Sequence, residues 1–521
     1  MESKAMNPII YSDFPDPDII RVDDTYYMAS TTMHFMPGCD ILRSYDLIHW
    51  ELLDQVYEEL EKLSTYRLEG ANQIYGKGMW APTLRYHEGK FYLLFTSNDT
   101  HKTHLFCAED ANGPWKPIDM EGFYYDSSLF FDDDGRVYIV HGQKTLHLTE
   151  LRPDLSGPLD GGLERIIAED EERIMLGFEG SHMYKRNGKY YIFTCHILSY
   201  GSRRKSEVCF VSDSLENEFQ GKCVIDDDCG YHNLGIAQGG MIDTPNGEWY
   251  AFMFQDRGSL GRAPVLMPMH FENDFPVLGV DGKVPLFVCG PKSTRPGYRY
   301  APINDDDDFN YMPDKDGKIR LKRFWQFNHV PTNELWSVTK YPGNYWIKTD
   351  KISKNIMQAR NTLTQRMTGP DCAAEVTLDC THLKEGDVAG IAAFQGSYGL
   401  IGATRENGEI KLVMMGRKAN DESIFGEFDY EKVPEIYEVV SIHLNIVRLR
   451  IEADFENKKD EATFYFEKDG RWIPCGITQK LYFKMDHFTG CRFGLFLYAT
   501  KEIGGEGLFS DFRYKKSKNS Y

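Results

Sequence analysis

The chain has 521 residues, a length that predicts two or three domains. Its 59 Lys and Arg residues against 79 Asp and Glu leave a formal net charge of −20, which argues against a general binder of nucleic acids or anionic membranes. Aromatic residues make up 14% of the chain, an enrichment that favours β-structure and sites where a ligand stacks on rings.

The N-terminus and the cysteines bear on the cellular compartment. Residues 1–6 lack the apolar segment of a signal peptide, and no apolar run in the sequence is long enough to span a membrane. The 11 cysteines are scattered and contain no CxxC pair, so a structural zinc site is not expected. Many unpaired thiols are typical of a reducing compartment, and we expect a cytoplasmic location. The oligomeric state cannot be predicted from the sequence.

Five segments share one hairpin pattern, in which a turn rich in Asp, Asn or Gly is followed by a strand that opens with aromatic or apolar residues. In chain order the segments are DDTYY (23–27), EGKFY (88–92), DGRVY (134–138), NGKYY (187–191) and NGEWY (246–250). The tyrosine that ends each segment recurs at intervals of 65, 46, 53 and 59 residues.

That spacing fits one four-stranded blade per segment, with loops of variable length. We therefore predict an all-β protein whose residues 1–290 form a five-bladed β-propeller. The alternative is a large β-sandwich with similar hairpins. The propeller is favoured because each unit has one hairpin and the units do not form a continuous meander.

The repeat also aligns the residues that begin the first strand of each unit. Counting back 11 residues from the tyrosine in the first two units, and 12 in the other three, gives Asp16, Ala81, Asp126, Glu179 and Gln238. The innermost strands of a propeller line its central channel, so these positions are expected to converge on one mouth of that channel. Three of them are carboxylates.

The pattern changes after the propeller. Residues 291–318 contain four prolines and an acidic run, and we predict that they form a linker. Residues 319–521 are predicted to form an antiparallel β-sandwich with a hairpin turn at Asn407–Gly408. The strand-like runs in this part are 374–378, 410–413, 439–451, 463–466 and 492–498. Helix signals are weak, and residues 56–63 form one candidate short helix.

Carboxylates at the mouth of a channel suggest the chemistry of glycoside hydrolysis. One carboxyl group protonates the leaving oxygen, while the other acts as a base on water or attacks the sugar as a nucleophile. A third carboxylate can raise the pKa of the acid through repulsion between like charges. Each acid alone, such as Asp16 between two prolines, also fits a solvated turn, but the shared repeat position of Asp16, Asp126 and Glu179 favours a site.

Several motifs resemble glycoside hydrolase family 43. In the N-terminal part they are NPI (7–9), FPDPD (14–18), LRSYDLIHW (42–50), MWAP (79–82), DSSLF (126–130) and EGSHMY (179–184). In the C-terminal part, ARNTLTQR (359–366) and GLFLYAT (494–500) resemble the concanavalin A-like C-terminal domain of the family's β-xylosidases. The resemblance covers nearly the whole chain.

The resemblance implies an inverting hydrolase on a five-bladed propeller, with a role for each carboxylate. Asp16 would be the general base that activates water, Glu179 would be the general acid, and Asp126 would orient the acid and set its pKa. The chain departs from the family pattern at Ser127, where Pro is frequent, and at Gln238, where His is frequent. The second departure argues against a His-centred water or metal site in the channel.

Five further residues are candidates for substrate binding: Trp80, Phe35, Arg262, Gln238 and His196. The resemblance implies that Phe35 forms a pocket wall and that Arg262 contacts the substrate and the acid pair. Trp80 would stack on the sugar, although a core tryptophan between blades would show the same spacing. Gln238 would bind an axial water, and His196 would line the pocket.

The leading prediction is an exo-acting glycosidase that removes terminal xylose from β-1,4-linked xylo-oligosaccharides, with release of arabinose from α-L-arabinofuranosides as a second option. The expected partners are substrates derived from xylan or arabinoxylan. One alternative is a retaining β-fructosidase, whose Asn-Asp-Pro-Asn segment is missing here; another is a non-catalytic glycan-binding propeller, which needs no paired acid and base. No cofactor is expected to be required, and the sequence leaves open a structural calcium ion in either domain.

Overall fold

The computed structural model describes residues 2–170, 176–198, 204–417 and 429–517, and nearly all of its regular elements are strands, numbered β1 to β38 along the chain. The predicted all-β class is confirmed. The helices in those ranges are single 3₁₀ turns, at Gly258–Leu260, Asn333–Leu335, Ile356–Gln358 and Glu456–Lys458. The candidate helix over residues 56–63 is wrong, because a strand runs to Tyr57 and irregular backbone follows it. Within the described ranges, no helix is long and apolar enough to cross a membrane.

The N-terminal part forms five antiparallel, four-stranded sheets, which are the blades of the predicted propeller. Blade 1 contains β2 (Asp18–Val22), β3 (Thr25–Ser30), β5 (Gly38–Ser44) and β6 (Glu51–Tyr57). Blade 2 contains β7 (Met79–His87), β8 (Lys90–Ser97), β9 (Lys102–Ala108) and β10 (Lys116–Ile118). Blade 3 contains β11 (Ser128–Phe131), β12 (Val137–His141), β13 (Thr145–Leu151) and β14 (Glu164–Glu169). Blade 4 contains β15 (Gly177–Arg186), β16 (Lys189–Ile197), β17 (Ser206–Ser212) and β18 (Gln220–Ile225). Blade 5 contains β19 (Ile236–Asp243), β20 (Trp249–Asp256), β21 (Arg262–Glu272) and β22 (Phe275–Leu278).

The five predicted hairpins link the first two strands of each blade. The lengths of the hairpin turns show that the position predicted by counting back 12 residues from Tyr191 in blade 4 is wrong by one residue. The turn of blade 4 has two residues, as in blades 1 and 2, so the equivalent position lies 11 residues before Tyr191, at Gly180, and Glu179 lies one residue earlier. The backbone shows the same alignment, because the left-handed residues that begin the five units are Asp16, Ala81, Asp126, Gly180 and Gln238.

The propeller closes by contacts between its first and last blades. The first strands of the blades neighbour one another around the channel, and β19 lies beside β2. The Asn7 side chain donates to the carbonyls of Leu266 and Pro285 at 2.8 and 2.9 Å, and Arg21 Nε donates to Asp243 Oδ1 at 3.0 Å. Outside the blades, β1 (Glu2–Met6) pairs with β23 (Phe287–Lys292). The ring is thus joined by side chains from both ends of the propeller.

Asp18 connects several blades at the centre of the propeller. Its fully buried carboxylate accepts from the backbone N–H of Leu84 at 2.7 Å and from Arg85 at 2.6 Å, and it bonds His182 Nδ1 at 3.0 Å. Burial opposes ionisation, but Arg85 and His182 outweigh it and lower the pKa of Asp18 to about 2. Arg85 extends the network to blade 3 by donating to Ser128 Oγ at 2.6 Å.

Asp18→Asn is expected to destabilise the propeller by about 3 kcal/mol or more at neutral pH, because it leaves Arg85, whose side chain is only 11% exposed, without its carboxylate. Since the folded pKa is depressed, this stabilisation is fully present above the unfolded pKa of about 3.9 and is lost as pH falls through about 2. Urea unfolding of wild type and variant at pH 7 and near pH 2 measures both effects. Asp243→Asn removes a more exposed partner, and its expected cost is below about 1 kcal/mol. Equal costs at the two positions would contradict the account.

The C-terminal part is the predicted antiparallel sandwich, made of two large sheets. One sheet contains, in spatial order, β32 (Glu435–Ser441), β31 (Glu409–Gly416), β30 (Gly399–Glu406), β29 (Asp387–Phe394), β37 (Arg492–Ala499), β27 (Leu363–Arg366), β24 (Gln326–Asn328) and β4 (Phe35–Met36). The other contains β25 (Trp336–Ser337), β26 (Tyr345–Lys348), β38 (Glu506–Lys516), β28 (Asp371–Asp379), β33 (Ile446–Asp454), β34 (Glu461–Lys468), β35 (Arg471–Pro474) and β36 (Gln479–Lys480). The predicted strand over 439–451 is in fact two strands, separated by residues 442–445.

The two parts of the chain are joined by more than the linker. Strand β4 belongs to the connection between β3 and β5 of blade 1, yet it pairs with β24 and completes a sheet of the sandwich. The chain between β23 and β24 has no strand, and Trp325 at its end donates its indole N–H to Asp307 at 2.8 Å. The propeller and the sandwich therefore share a sheet, which fixes the sandwich close to the channel mouth.

Candidate active site

A cavity of about 350 Å³ lies at the mouth of the propeller channel, and Asp16, Asp126 and Glu179 all line it. Cavities of about 570 and 640 Å³ lie on the sandwich and beside blade 1, but none of their described lining residues is one of these carboxylates. The structure therefore brings the three acids together, with Asp16 and Asp126 at the repeat position and Glu179 one residue before it.

Asp16 is held by an arginine from blade 5. Arg262 is the first residue of β21, and its Nη1 donates to Asp16 Oδ1 at 2.7 Å, with both side chains buried. The other two donor nitrogens of Arg262, Nε and Nη2, are buried and have no hydrogen-bond partner among the described residues. The ion pair presents Asp16 as a carboxylate, which can accept a proton, and leaves donors for a polar ligand.

Backbone geometry turns the acids into the channel. Asp16 and Asp126 have φ values of 51° and 44°, in the left-handed region that few non-glycine residues adopt. Such strain is concentrated at functional sites. Gly180 has a φ of 66°, and a Cβ at this position would lie 2.6 Å from Gln238 Cγ, so a glycine is required directly after Glu179.

The Asp126–Glu179 pair retains a proton. Burial raises the pKa of Asp126 well above its usual range, and the charges of Glu179 and Asp16 raise it further. Burial also raises the pKa of Glu179, although a hydrogen bond and nearby cations oppose the shift. Because like charges in a buried site cannot all be ionised, the pair holds a proton at pH values where an isolated carboxyl group has lost it.

Two neighbours adjust the position and charge of Glu179. Gln143 Nε2 donates to Glu179 Oε2 at 2.8 Å. Lys205 lines the cavity, lowers the pKa of Glu179 by its charge, and lies 3.4 Å from Asp256 Oδ1. A carboxyl group with a raised pKa in such surroundings can donate a proton near neutral pH.

Asp126→Asn is expected to move the basic limb of the pH–rate profile to lower pH by about one unit. The reason is that the pair keeps its last proton because losing it would leave two negative charges together, and without the Asp126 carboxyl group that repulsion is gone, so Glu179 loses its proton at lower pH. Profiles of kcat and kcat/KM measure the shift, and Asp134→Asn in the exposed hairpin of the same blade is the control. A normal rate with an unchanged profile would remove Asp126 from the site.

The sandwich supplies part of the cavity wall. Met485 and Phe488, from the loop between β36 and β37, line the cavity. The Phe488 ring lies 4.4 Å from the guanidinium carbon of Arg262 and 5.5 Å from the Trp80 ring. A Cβ on Gly76 would lie 2.2 Å from the carbonyl oxygen of Met485, so the propeller approaches this loop closely. The cavity is thus built from both parts of the chain.

Of the candidates for substrate binding, Trp80, Gln238 and Arg262 line the cavity. The indole Nε1 of Trp80 is buried and has no hydrogen-bond partner in the described part of the chain. The backbone N–H of Gln238 donates to Glu207 Oε2 at 2.8 Å, which anchors its left-handed position. These residues offer an aromatic ring, an amide and a guanidinium to one ligand.

Phe35 is not a pocket wall. It lies in β4, is fully buried against the sandwich, and its ring lies 3.6 Å from the guanidinium carbon of Arg492. It does not occur among the described residues that line the cavity. The prediction fails because the loop that contains Phe35 joins the sheet of the other domain.

His196 also lies outside the described cavity lining. It pairs with Phe178 across the blade 4 hairpin, stacks on that ring with centroids 4.2 Å apart, and bonds Asp170 at 3.0 Å. Side chains alternate between the two faces of a strand, and the next residue, Ile197, is the one that lines the cavity.

Sequence reasoning missed several residues of the cavity, among them Gln143, Lys205, Phe254, Met485 and Phe488. Tyr125 could have been found, because it precedes Asp126 as Trp80 precedes Ala81 in the repeat. The others lie on second or third strands and loops, for which the repeat sets no fixed offset.

The described residues contain no group of three or more His, Cys, Asp or Glu side chains arranged to hold a metal ion. The three acids of the cavity are instead arranged around an arginine. An ion-paired carboxylate, a carboxyl group with a raised pKa and an aromatic wall around one pocket are typical of a glycoside hydrolase, since the two acids can supply the base and the acid that cleave a glycosidic bond.

The chain belongs to glycosyl hydrolase family 43. Residues 5–276 match the family described as Glycosyl hydrolases family 43, and residues 317–515 match the Beta xylosidase C-terminal Concanavalin A-like domain. This membership confirms the resemblance seen in the motifs and removes the β-fructosidase and binding-only alternatives.

Several relatives match most of the chain. A Beta-xylosidase of Formosa agariphila is 27% identical over 558 residues, 96% of this chain and 88% of that protein. A Non-reducing end alpha-L-arabinofuranosidase of Bacteroides ovatus is 27% identical over 442 residues, 80% of this chain and 79% of that protein. Among solved structures, a bifunctional GH43-CE protein of Bacteroides eggerthii is 39% identical with a TM-score of 0.89, and the match covers 99% of this chain but 64% of that one.

Proposed function

We propose that this enzyme is an exo-acting, inverting glycosidase that releases terminal xylose from β-1,4-linked xylo-oligosaccharides and also accepts α-L-arabinofuranosides. The observation that carries the proposal is the placement, in one cavity, of an arginine-bound carboxylate and a pair of buried carboxyl groups whose pKa values are raised. The names of the relatives support xylan-derived substrates, because they include both a xylosidase and an arabinofuranosidase.

The proposed mechanism gives each acid one task. Asp16 takes a proton from a water molecule, which attacks the anomeric carbon from the face opposite the leaving oxygen. Glu179 donates its proton to that oxygen, and the bond to the aglycone breaks. Repulsion between Asp126 and Glu179 keeps one proton on the pair, from which Glu179 donates it, and Arg262 holds Asp16 in place. One displacement inverts the configuration of the sugar.

The proposal that the enzyme acts on chain ends rests on the wall of the cavity. Phe488 and Met485 close one side, and Trp80 and Tyr125 bound another. A walled pocket holds a terminal sugar, whereas an open groove would admit the middle of a polymer. Both xylose and arabinose are pentoses, so one pocket with these donors suits either sugar.

We propose that catalysis requires no cofactor and that the enzyme works in the cytoplasm. All 11 cysteines lie in the described ranges and are free thiols, which agrees with a reducing compartment. The proposed mechanism uses two carboxyl groups and water, so no metal takes part in it. Activity that survives dialysis against a chelator would support the first point.

A panel of nitrophenyl glycosides tests the proposed specificity. We expect hydrolysis of the β-xyloside and the α-L-arabinofuranoside, and none of the β-galactoside or the β-fructoside. Xylobiose and xylotriose should yield xylose from the first time point, with no accumulation of a longer product. Internal cleavage of xylan, or activity on the β-galactoside alone, would contradict the proposal.

A further inference from the structure

Asp13 lies three residues before Asp16 and has no role in the mechanism proposed above. Its side chain is buried, and it is not among the described residues that line the cavity. Its two carboxylate oxygens nevertheless hold two segments that do line it. Oδ1 accepts the backbone N–H of Arg262 at 2.7 Å, and Oδ2 accepts the backbone N–H of Gly490 at 2.8 Å.

Each of these N–H groups belongs to a segment that bounds the cavity. Arg262 opens β21, and its guanidinium holds Asp16. Gly490 follows Phe488 by two residues in the sandwich loop, and the Phe488 ring lies 4.4 Å from that guanidinium. One carboxylate therefore fixes the backbone of the arginine and the backbone of the loop whose ring covers it.

The backbones of Gly261 and Gly490 pack closely against Asp13. A Cβ on Gly261 would lie 2.2 Å from Asp13 Oδ1, and a Cβ on Gly490 would lie 2.6 Å from Asp13 Cβ and 2.1 Å from the Leu260 carbonyl oxygen. Both glycines are required for this close approach. The Asp13 carboxylate therefore lies between the backbone of Gly261 and the backbone of Gly490 and packs against both.

The turn before Arg262 is also fixed to the sandwich. Ser259 donates its backbone N–H and its hydroxyl to Asp460 Oδ1 at 3.0 and 2.8 Å. Its carbonyl accepts the backbone N–H of Cys491 at 2.8 Å. The turn is thus held on one side by Ser259 and on the other by Asp13, and both sets of bonds hold the backbone of Arg262.

We propose that Asp13 is a positioning residue for the reaction: its carboxylate locks Arg262 and the Phe488 loop together and so places Asp16 to act on water. This proposal rests on the proposed function, because it acts through the pair of Asp16 and Arg262. On this proposal the sandwich helps to orient the Asp16 base, and it also forms part of the cavity wall.

A double-mutant cycle separates positioning from simple stabilisation. On a dinitrophenyl β-xyloside, Asp13→Asn is expected to lower kcat by about 30-fold with little change in KM, since small misplacement of a catalytic group has effects of this size. In an Arg262→Met background the same substitution is expected to cost less than about 3-fold, because there is no longer a guanidinium to position. If both losses are equal, Asp13 does not act through Arg262 and the proposal fails.

The matched control is Asp227→Asn, another buried propeller carboxylate, which accepts the backbone N–H of Val284 at 2.9 Å. In each background Asp227→Asn should leave the rate of the parent enzyme, wild type or Arg262→Met, unchanged. If Asp13→Asn does not fold, Asp13→Ser, which has a smaller side chain, is put through the same cycle with the same expected outcome. Full activity in either folded Asp13 variant overturns the proposal. Full activity of Arg262→Met would instead contradict the proposed active site.

Discussion

Asp16→Ala is expected to lose at least about 10³-fold in kcat on every substrate, because each hydrolysis needs a base to activate water. The loss should be the same for xylobiose and for a dinitrophenyl β-xyloside, since the base acts on water and not on the leaving group. Initial rates on the two substrates at one pH measure it, with thermal unfolding as the check that the variant is folded.

Asp16→Asn tests whether Asp16 acts as the base or only holds Arg262. The amide keeps the volume of the side chain and one oxygen that can accept from Arg262 Nη1, but it cannot take a proton from water. We expect this variant to be as inactive as Asp16→Ala and more stable. If it retained a substantial rate, the role of Asp16 would be to hold Arg262, and the base would have to be another group.

Glu179→Ala is expected to show a loss that depends on the leaving group. An alkoxide leaving group, as in xylobiose, needs a proton, so about 10³-fold or more in kcat should be lost. A dinitrophenolate leaves without protonation, so the rate on that glycoside should fall by less than about 10-fold. The ratio of the two rates in wild type and variant is the measured quantity.

Glu179→Gln is the matched variant, because its side chain keeps the shape that meets Gln143. It should show the same dependence on the leaving group as Glu179→Ala. A reversed pattern, with Asp16→Ala active on the activated glycoside and Glu179→Ala inactive on it, would exchange the roles of base and acid. Uniform losses for both would mean that neither residue serves as the acid.

The propeller could be predicted because each blade repeats a local signal. A turn and a strand that opens with aromatic or apolar residues form a hairpin from neighbouring residues, so each of the five segments from 23–27 to 246–250 predicts its own hairpin. The positions of Asp16 and Asp126 follow by counting along one strand. The same counting is wrong by one residue for Glu179, because the turn of blade 4 has two residues whereas an offset of 12 requires a longer turn.

The rest of the site depends on contacts between distant segments. Phe488 and Met485 reach the cavity only because the sandwich docks on the propeller, and no spacing in the sequence relates them to Asp16. Phe35 is predicted to line the cavity but does not, because its loop leaves blade 1 and forms β4 in the sandwich sheet. Local patterns predict elements, whereas the pairing of edge strands across domains depends on tertiary packing.

The measurement that tests the central claim most directly is the anomer of xylose first released from a nitrophenyl β-xyloside, observed by proton NMR before mutarotation. The account predicts α-xylose as the first product, because a water activated by Asp16 displaces the leaving group in one step while Glu179 protonates it. Initial release of β-xylose would mean two displacements through a covalent intermediate. It would contradict the assignment of Asp16 as a base on water and, with it, the mechanism derived from this cavity.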